Sequence, residues 1–441
     1  MKEVLILGFG ISGQAAARLA NHLQYQVTVL DEKEPAVPEN YHLIANWTPE
    51  VPLKKYDFAV ISPGIPIHSA MAEAVRAAGT PILGELEFAA SDLPCKIVAI
   101  TGTNGKTTTT ELTTALIQSA GLRCESAGNI GTALSDVALE LKKGIRKLDV
   151  LVVETSSFQL ESMEYYSPFS GAILNLASDH INRHGSMEGY AEAKFQLFRN
   201  LNRTEQNCVL NSNLLPQWKT YYPGEKPMTF SAVSDADFCR IEGDLCFRGK
   251  KIYRWSDCPL KGDHNAENTL AALALLRTVA GEEVLFSEEI RKTISGFTPD
   301  SHRLECFAEK NGIRYIDDSK ATNPHSVNAA LRTVGGERNV LLILGGSDKA
   351  MDFRCIAEDS GNIIHAYICG HAGVRIEEDL KSALPCTRFE TFEEAVKEAC
   401  DHAVSGDVVL LSPACASFDF FKSYKARGEH FQKLVKALLS E

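Results

Sequence analysis

The chain has no C-x-x-C pair among its 12 cysteines, so neither a zinc-site spacing nor a disulfide framework is indicated. Scattered thiols suit a reducing compartment, and a cytoplasmic location is expected. No apolar run reaches the length of about 20 residues that a membrane-spanning helix needs. The apolar opening at residues 4–7 runs straight into a glycine turn, unlike a signal peptide. There is no basic block either: 45 Lys plus Arg stand against 57 Asp plus Glu, a net charge of -12. Nucleic acid and anionic membrane surfaces are therefore not expected partners. Repeats and low-complexity tracts are also missing. What is present is 441 residues, 44% hydrophobic and 23% charged, the composition of a globular protein. That length exceeds one ordinary core, so two to three domains are expected.

The stretch I-V-A-I-T-G-T-N-G-K-T-T-T-T at 97–110 joins an apolar run to a glycine-hinged loop and a sequence of helical character. Strand, turn and helix start aim several backbone N–H groups at one point, and the helix dipole adds about half a positive charge there. Gly102, Thr103, Asn104, Gly105, Lys106, Thr107 and Thr108 thus read as a nucleotide-triphosphate site, with Lys106 on the outer phosphates and the Thr107 hydroxyl on Mg²⁺. The spacing departs from G-x-x-x-x-G-K-[ST], because Ile100 stands at the first glycine and Gly102 supplies the turn.

Upstream, the strand at 4–7 leads into Gly8-Phe9-Gly10-Ile11-Ser12-Gly13, an Ala-rich helix to about Leu23, and a strand from Gln26 to Leu30 ending at Asp31. This is the G-x-G-x-x-G fingerprint with a later acid. By itself it suits NAD, and any nucleotide diphosphate could use the same glycines and helix end. A strand at 56–61 ends in Ser62-Pro63-Gly64, and residues 91–94 form a linker.

Downstream, Ala127-Gly128-Asn129-Ile130-Gly131 is a loop open to a ligand. A strand at 148–153 ends in Glu154, which lies beside the phosphate loop in an open parallel sheet and can hold Mg²⁺ or simply be solvated. A strand at 172–176 leads to Asp179 and His180, and His180 alone reads as a core or surface histidine. In the helical stretch 186–201, Lys194 falls inside the stripe of Tyr190, Ala193, Leu197 and Leu201. A lysine there must snorkel, find a carboxylate, or change its chemistry. Its amine is neutral about one time in a thousand near pH 7.4, more often when desolvated. A neutral amine can add CO₂ to give a carbamate, yet the stripe alone favours snorkelling. The helix opened by His264-Asn265-Ala266-Glu267-Asn268 offers asparagines that either cap it or contact a purine or phosphate. In the last third, polar residues again collect where strands end: Asp317 to Asn323, Gly345 to Lys349, and Ser412 to Asp419. Those are the ligand edges of open α/β sheets.

T-G-T-N-G-K-T at 101–107, G-N-I-G at 128–131, E-T-S-S-F-Q-L at 154–160, D-H at 179–180 and the Ala193-Lys194 context resemble the Mur ligase family. So do H-N-x-x-N at 264–268, H-R at 302–303, D-S-K-A-T-N at 318–323 and R-G-x-x-F at 427–431. The resemblance spans the chain in order. It implies an α/β protein of three domains: a Rossmann-like domain at 1–92 for a UDP-substrate, a P-loop ATPase-like parallel sheet at 93–298 for ATP, and a Rossmann-like domain at 299–441 for an amino acid. S-S-F-Q-L and S-P-A-C-A-S-F-D are similar to the branch that adds D-glutamate to UDP-N-acetylmuramoyl-L-alanine through an acyl phosphate, in peptidoglycan precursor synthesis. The resemblance implies ATP and two Mg²⁺ ions as cofactors, Lys106, Asn129, Glu154, His180 and Lys194 at the chemistry, and metal held by Thr107, Glu154, His180 and a carbamylated Lys194. It assigns ATP also to Asn265, Asn268, Arg303 and Asp318. Gly10, Ile11, Ser12, Asp31, Gly64 and Asn129 would take the UDP-substrate, so the fingerprint would bind UDP, not NAD. Lys320, Thr322, Lys349, Ser417 and Phe418 would hold D-glutamate. A monomer with small-molecule partners is expected. The competing readings are a family member adding L-alanine or a diamino acid, a folylpolyglutamate-synthase-like ligase, and an ATP-driven switch with no amine acceptor.

Overall fold

The computed structural model describes residues 2–129, 131–298, 301–334, 336, 338–347, 351–358 and 360–440. The chain forms two compact units, Met1–Leu176 with Arg183–Phe297, and Ala177–Asn182 with Thr298–Glu441. Among the described residues no helix is long and apolar enough to cross a membrane.

The first unit contains two sheets. Strands β1 (Glu3–Leu7), β2 (Gln26–Leu30), β3 (His42–Ile44), β4 (Phe58–Ile61) and β5 (Ile82–Gly84) form an all-parallel sheet in the order β3-β2-β1-β4-β5. Its order reverses between β1 and β4, so the loops after these two strands share the crevice where doubly wound sheets bind ligands. The second sheet comprises β6 (Lys96–Thr101), β7 (Cys124–Gly128), β8 (Val150–Glu154), β9 (Ser170–Ile173), β10 (Cys208–Asn211), β11 (Met228–Ser231), β12 (Phe238–Ile241), β13 (Asp244–Phe247) and β14 (Lys250–Arg254), in the order β14-β13-β12-β11-β10-β9-β6-β8-β7. Its central strands β6 and β8 read as near-continuous apolar runs, as strands of a parallel sheet covered on both faces do. The helix Asp263–Ala280 buries an unbroken run from Leu270 to Leu276, all at 0% exposure. Strands β12 to β14 turn antiparallel through Glu242 and Gly243, both at positive φ, the conformation a two-residue hairpin requires. Arg18 pairs with Asp136, and Glu85 Oε1 accepts from Ser135 N at 2.9 Å, which joins the two sheets' helices.

The second unit holds β15 (Glu305–Lys310), β16 (Ile313–Asp317), β17 (Val340–Gly345), β18 (Ile363–Cys369), β19 (Cys386–Arg388) and β20 (Val408–Leu411), in the order β15-β16-β20-β17-β18-β19. Among the described residues β15 pairs antiparallel with β16 and the other strand pairs are parallel.

Several expected boundaries move. The strand foreseen at 148–153, ending in Glu154, is Val150–Glu154; the one foreseen at 172–176 is Ser170–Ile173. The helix foreseen over 186–201 is Met187–Phe195, followed by a tighter turn at Gln196–Phe198. The final helix starts at Tyr424, where the Ser423 hydroxyl accepts from Ala426 N and caps it.

The R-G-x-x-F run belongs to this packing. Arg427 is 2% exposed, Phe431 is fully buried, and a Cβ on Gly428 would lie 2.2 Å from His302 Nδ1 and 2.8 Å from Asp317 Oδ2. Gly428→Ala should therefore lower stability by about 1–3 kcal/mol, the usual cost of overpacking, measured by denaturant unfolding of the purified variant.

Candidate functional site

The phosphate loop leaves β6 at its carboxyl end and re-enters helix at Lys106. Gly105 sits at φ +81, and a Cβ there would meet Asn268 Oδ1 at 2.1 Å, so the residue must be glycine twice over. Asn268, 4% exposed, lies directly against the loop and donates to Asn265 Oδ1 at 3.3 Å. The helix carrying both starts at Asp263 behind Gly262, so neither asparagine is its N-cap. Lys106 Nζ folds back over the loop, donating to the carbonyls of Gly102 at 2.9 Å and Thr103 at 2.8 Å.

Strand β8 adjoins β6 in register Ile100↔Glu154, which brings the strand-end acid beside the loop. The Glu154 carboxylate, 2% exposed, accepts from Thr107 Oγ1 at 2.8 Å on one oxygen and from Asn129 Nδ2 at 2.8 Å on the other. Asn129 N also donates to the Glu154 carbonyl at 2.9 Å. Thr108 is buried in the first helical turn. A hydroxyl and a carboxylate side by side at a phosphate loop form a hard oxygen donor set, which suits Mg²⁺.

Lys194 does not snorkel. It is 1% exposed, and Nζ donates to the Gly102 carbonyl at 2.8 Å, lies 3.5 Å from Thr101 Oγ1, and sits 4.6 Å from the Tyr190 ring centre. The helix face holding the apolar stripe packs onto the phosphate loop, so the amine meets loop carbonyls instead of solvent. Tyr190 hydroxyl and Thr103 Oγ1 are 3.1 Å apart. His180 falls in the second unit, at φ +55, with Nε2 3.6 Å from Asp179 Oδ2.

In the first sheet Asp31 accepts from Phe9 N at 2.8 Å and Lys33 N at 2.9 Å, closing the turn after β1. Gly10 precedes the helix Ile11–His22, whose Ile11 is 80% exposed, and Ser12 stands in its first turn. Nothing lies within 4 Å of where a Cβ on Gly10 or Gly64 would stand, so both loops border open space.

In the second unit Asp317 ends β16 and Asp318 follows it. Asp317 Oδ2 and His302 Nδ1 are 2.6 Å apart, and Gln432 Nε2 donates to the same oxygen. His302, Glu305 and Asp317 offer ligand atoms within 4.8 Å of one another, but His302 N and Gln432 already donate to Glu305, so hydrogen bonds satisfy the group. Asp318 accepts from Ser412 Oγ at 2.8 Å and Leu304 N at 3.3 Å, and burial pushes its carboxyl up to about 7 against the help of those donors and Arg303. Lys320 Nζ donates to the Tyr424 hydroxyl at 3.1 Å, and Thr322 follows two residues on, half-buried. Ser417 is buried and Phe418 is 76% exposed, on the loop after β20, which a Ser347↔Ala416 bridge ties to the loop after β17. Lys349 lies outside the described residues.

Asn175 was missed by sequence reasoning. Its side chain accepts from Asn104 N at 2.8 Å and donates to Asn104 O at 3.0 Å, clamping the phosphate loop from the end of β9. Only its place just past a strand could have marked it. The S-x-x-Q spacing at 156–159 did carry a readable signal, a capping box that is formed.

The high Asp318 carboxyl makes stability pH-dependent. Unfolded, it titrates near 3.9; folded, near 7. Between these values the folded chain keeps a proton the unfolded chain has lost, so this group's contribution falls as pH rises. Asp318→Asn should remove that fall: its stability relative to wild type should improve from pH 4 to pH 7 by an amount on the order of 4 kcal/mol at most, read by urea unfolding across that range.

The comparisons with known proteins agree with this layout. Residues 100–276 match the Mur ligase middle domain, and residues 302–415 match the Mur ligase, glutamate ligase domain. A UDP-N-acetylmuramoylalanine--D-glutamate ligase of Alkaliphilus oremlandii is 37% identical, covering 99% of this chain and 98% of its own. The enzyme of that name from Koribacter versatilis is 36% identical over 100% of this chain and 98% of its own. Solved structures share the fold at low identity. UDP-N-acetylmuramate-alanine ligase MurC from Thermotoga maritima has TM-score 0.61 at 17% identity, covering 99% of this chain and 100% of that one. MurF from Acinetobacter baumannii has TM-score 0.62 at 18% identity, covering 100% of this chain and 90% of that one. With full-length relatives above one-third identity and both domain matches in order, this chain belongs to the Mur ligase family.

Proposed function

We propose that the chain is an ATP-dependent, ADP-forming ligase that joins D-glutamate to UDP-N-acetylmuramoyl-L-alanine in peptidoglycan precursor synthesis, and so serves cell-wall growth, cell shape and division. The observation that carries this reading is the Thr107–Glu154 pair at the carboxyl edge of β6 and β8, set in a chain alike over its whole length to ligases of that name. MurF from Thermotoga maritima, of similar fold at TM-score 0.61, is described in complex with ADP, which supports ATP as the phosphate donor.

In this reading residues 1–92 take the UDP-substrate, 93–298 take ATP and 299–441 take the amino acid. The substrate's terminal carboxylate attacks the γ-phosphate of ATP, expelling ADP and giving an acyl phosphate, and the amine of D-glutamate then attacks the acyl carbon, expelling inorganic phosphate and losing a proton to leave the new amide. Mg²⁺ bound there would supply charge neutralisation to the oxygens of the transferred phosphoryl group. Thr107 and Glu154 would hold one ion, and His180 with Lys194 as a carbamate would hold a second. Lys106 leaves the loop carbonyls for the outer phosphates, and the loop N–H groups bind the remainder. Asn129, fixed by Glu154, orients the attacking carboxylate. Gly10, Ile11, Ser12, Asp31 and Gly64 bind the UDP part. Asn265, Asn268, Arg303 and Asp318 serve the nucleotide. Lys320, Thr322, Lys349, Ser417 and Phe418 receive D-glutamate, whose two carboxylates explain paired lysines. The enzyme works in the cytoplasm as a monomer.

Phosphate release with ATP, Mg²⁺ and UDP-N-acetylmuramoyl-L-alanine should require D-glutamate, and L-glutamate, L-alanine and diaminopimelate should give none. Release with a different acceptor would keep the family and overturn the assignment of residues 299–441; release with no acceptor would favour an ATP-driven switch.

For Lys194, Ala substitution should abolish turnover, and short added carboxylates should restore part of it. Wild type in ¹³C-bicarbonate should show a carbamate carbon resonance that Lys194→Ala lacks. Full activity in Lys194→Ala, or no such resonance, would remove the carbamate.

A further inference from the structure

Arg183 has none of the roles above, yet its side chain is only 13% exposed and its guanidinium is fully engaged. Nε donates to both carboxylate oxygens of Glu161, at 3.1 and 3.3 Å, and Nη2 pairs with the same group. The outer N–H groups reach the loop after β4: Nη2 to the carbonyls of Pro63 at 3.2 Å and Ile65 at 3.0 Å, Nη1 to that of Gly64 at 3.4 Å. Its plane lies 4.7 Å from the Phe158 ring centre.

Contacts continue on either side. Toward the first sheet, Ser62 Oγ donates to the Gly8 carbonyl at 3.0 Å, and the Ile65 side chain packs where Gly8 has no Cβ. Toward the second sheet, Glu161 lies 3.8 Å from His184 Nδ1, and the His184 ring lies tilted against that of Tyr190, ring centres 5.4 Å apart. Burial holds the His184 imidazole below its ordinary range, against the pull of Glu161. His184 Nε2 stands 3.0 Å from Ser157 Oγ, and the Tyr190 hydroxyl touches the phosphate loop at Thr103.

We infer that Arg183 is a positioning residue that fixes the loop at 62–65, and with it the UDP-substrate side of the site, against the phosphate loop. The inference rests on the UDP reading of the loops after β1 and β4. Only a guanidinium fits this place: its planar fork spans a carboxylate and three successive carbonyls at once, which a lysine's single ammonium cannot. Glu161 neutralises the charge and sets the fork's angle. The reacting ends of two substrates bound on different sheets must approach to about 3–3.5 Å in the right orientation, so a slack loop weakens binding of the first substrate before it affects ATP.

The test compares Arg183→Met, Glu161→Gln and the double variant with wild type. KM for UDP-N-acetylmuramoyl-L-alanine should rise about tenfold in each single variant while KM for ATP stays within about twofold, and the double variant should be no worse than the poorer single one. Calorimetric titration with UDP alone should show a matching rise in Kd. Equal rises in both KM values, or an unchanged UDP Kd in folded variants, would overturn the inference. Should Arg183→Met fail to fold by circular dichroism, Arg183→Lys, which keeps the charge and lacks the fork, is judged by the same criteria. Wild type that binds UDP without ligating would defeat the reaction alone, leaving Arg183 to the UDP titration. Wild type that binds no UDP would defeat the UDP reading and the inference together.

Discussion

A carboxylate 2% exposed to solvent cannot stand alone. Moving one out of water costs several kcal/mol unless charge or hydrogen bonds replace the lost hydration. Glu154 meets this demand with a threonine hydroxyl from the phosphate loop and an asparagine amide from the loop after β7. Three strand-end segments are thereby fixed around one group. The geometry follows from strand order: β8 must lie against β6, and β7 against β8, for Thr107 and Asn129 to reach the same residue. Everything else at the phosphate loop is built around that pair. Asn268 supports the loop beneath Gly105, Asn175 clamps it from β9, and Lys194 reaches its Gly102 carbonyl.

The second unit solves a related problem with the opposite outcome. Asp317 and Asp318 are adjacent and both buried. Asp317 collects His302, Ser319 N and Gln432 as partners. Asp318 collects fewer, and desolvation dominates, keeping its carboxyl protonated to near neutrality. Successive residues at a strand end point to opposite sides, so one acid meets the helix Tyr424–Leu438 and the other meets the loop after β20.

Most of the fold was legible because parallel strands buried on both faces leave continuous apolar runs, and glycine turns mark where they stop. Val408–Leu411 and Cys208–Asn211 fall where the runs do. The phosphate loop was legible for the same reason, with its lysine and threonine fixed by spacing. Strands β11 to β14 were not, since their short alternating runs carry Arg240, Lys250 and Lys251 between apolar residues. Lys194 shows the other limit. A stripe states which helix face is buried, but not what lies beneath it. The stripe pointed toward snorkelling because an apolar core was assumed, whereas the neighbour is a polar loop whose carbonyls welcome an amine.

Resemblance carried by motifs does not separate chemistry from architecture, and the R-G-x-x-F run makes the distinction concrete. Arg427 Nε donates to Ser319 Oγ at 3.0 Å, and Nη2 to the carbonyls of Ser319 at 2.8 Å and Cys415 at 3.1 Å. Nη1 lies 3.5 Å from the Gly345 carbonyl. The loops after β16, β17 and β20 are therefore held by one guanidinium, and these loops present Lys320, Ser417 and Phe418. Burial lowers the Arg427 group to about 10, still far enough above neutrality to keep its charge. Arg427 is 2% exposed and directs its fork at Ser319 Oγ and three backbone carbonyls, so this arginine acts by holding the edge that presents Lys320, Ser417 and Phe418. Arg183 holds the first unit's loops by the same means, and in both places the planar fork, not the charge alone, is what the backbone requires.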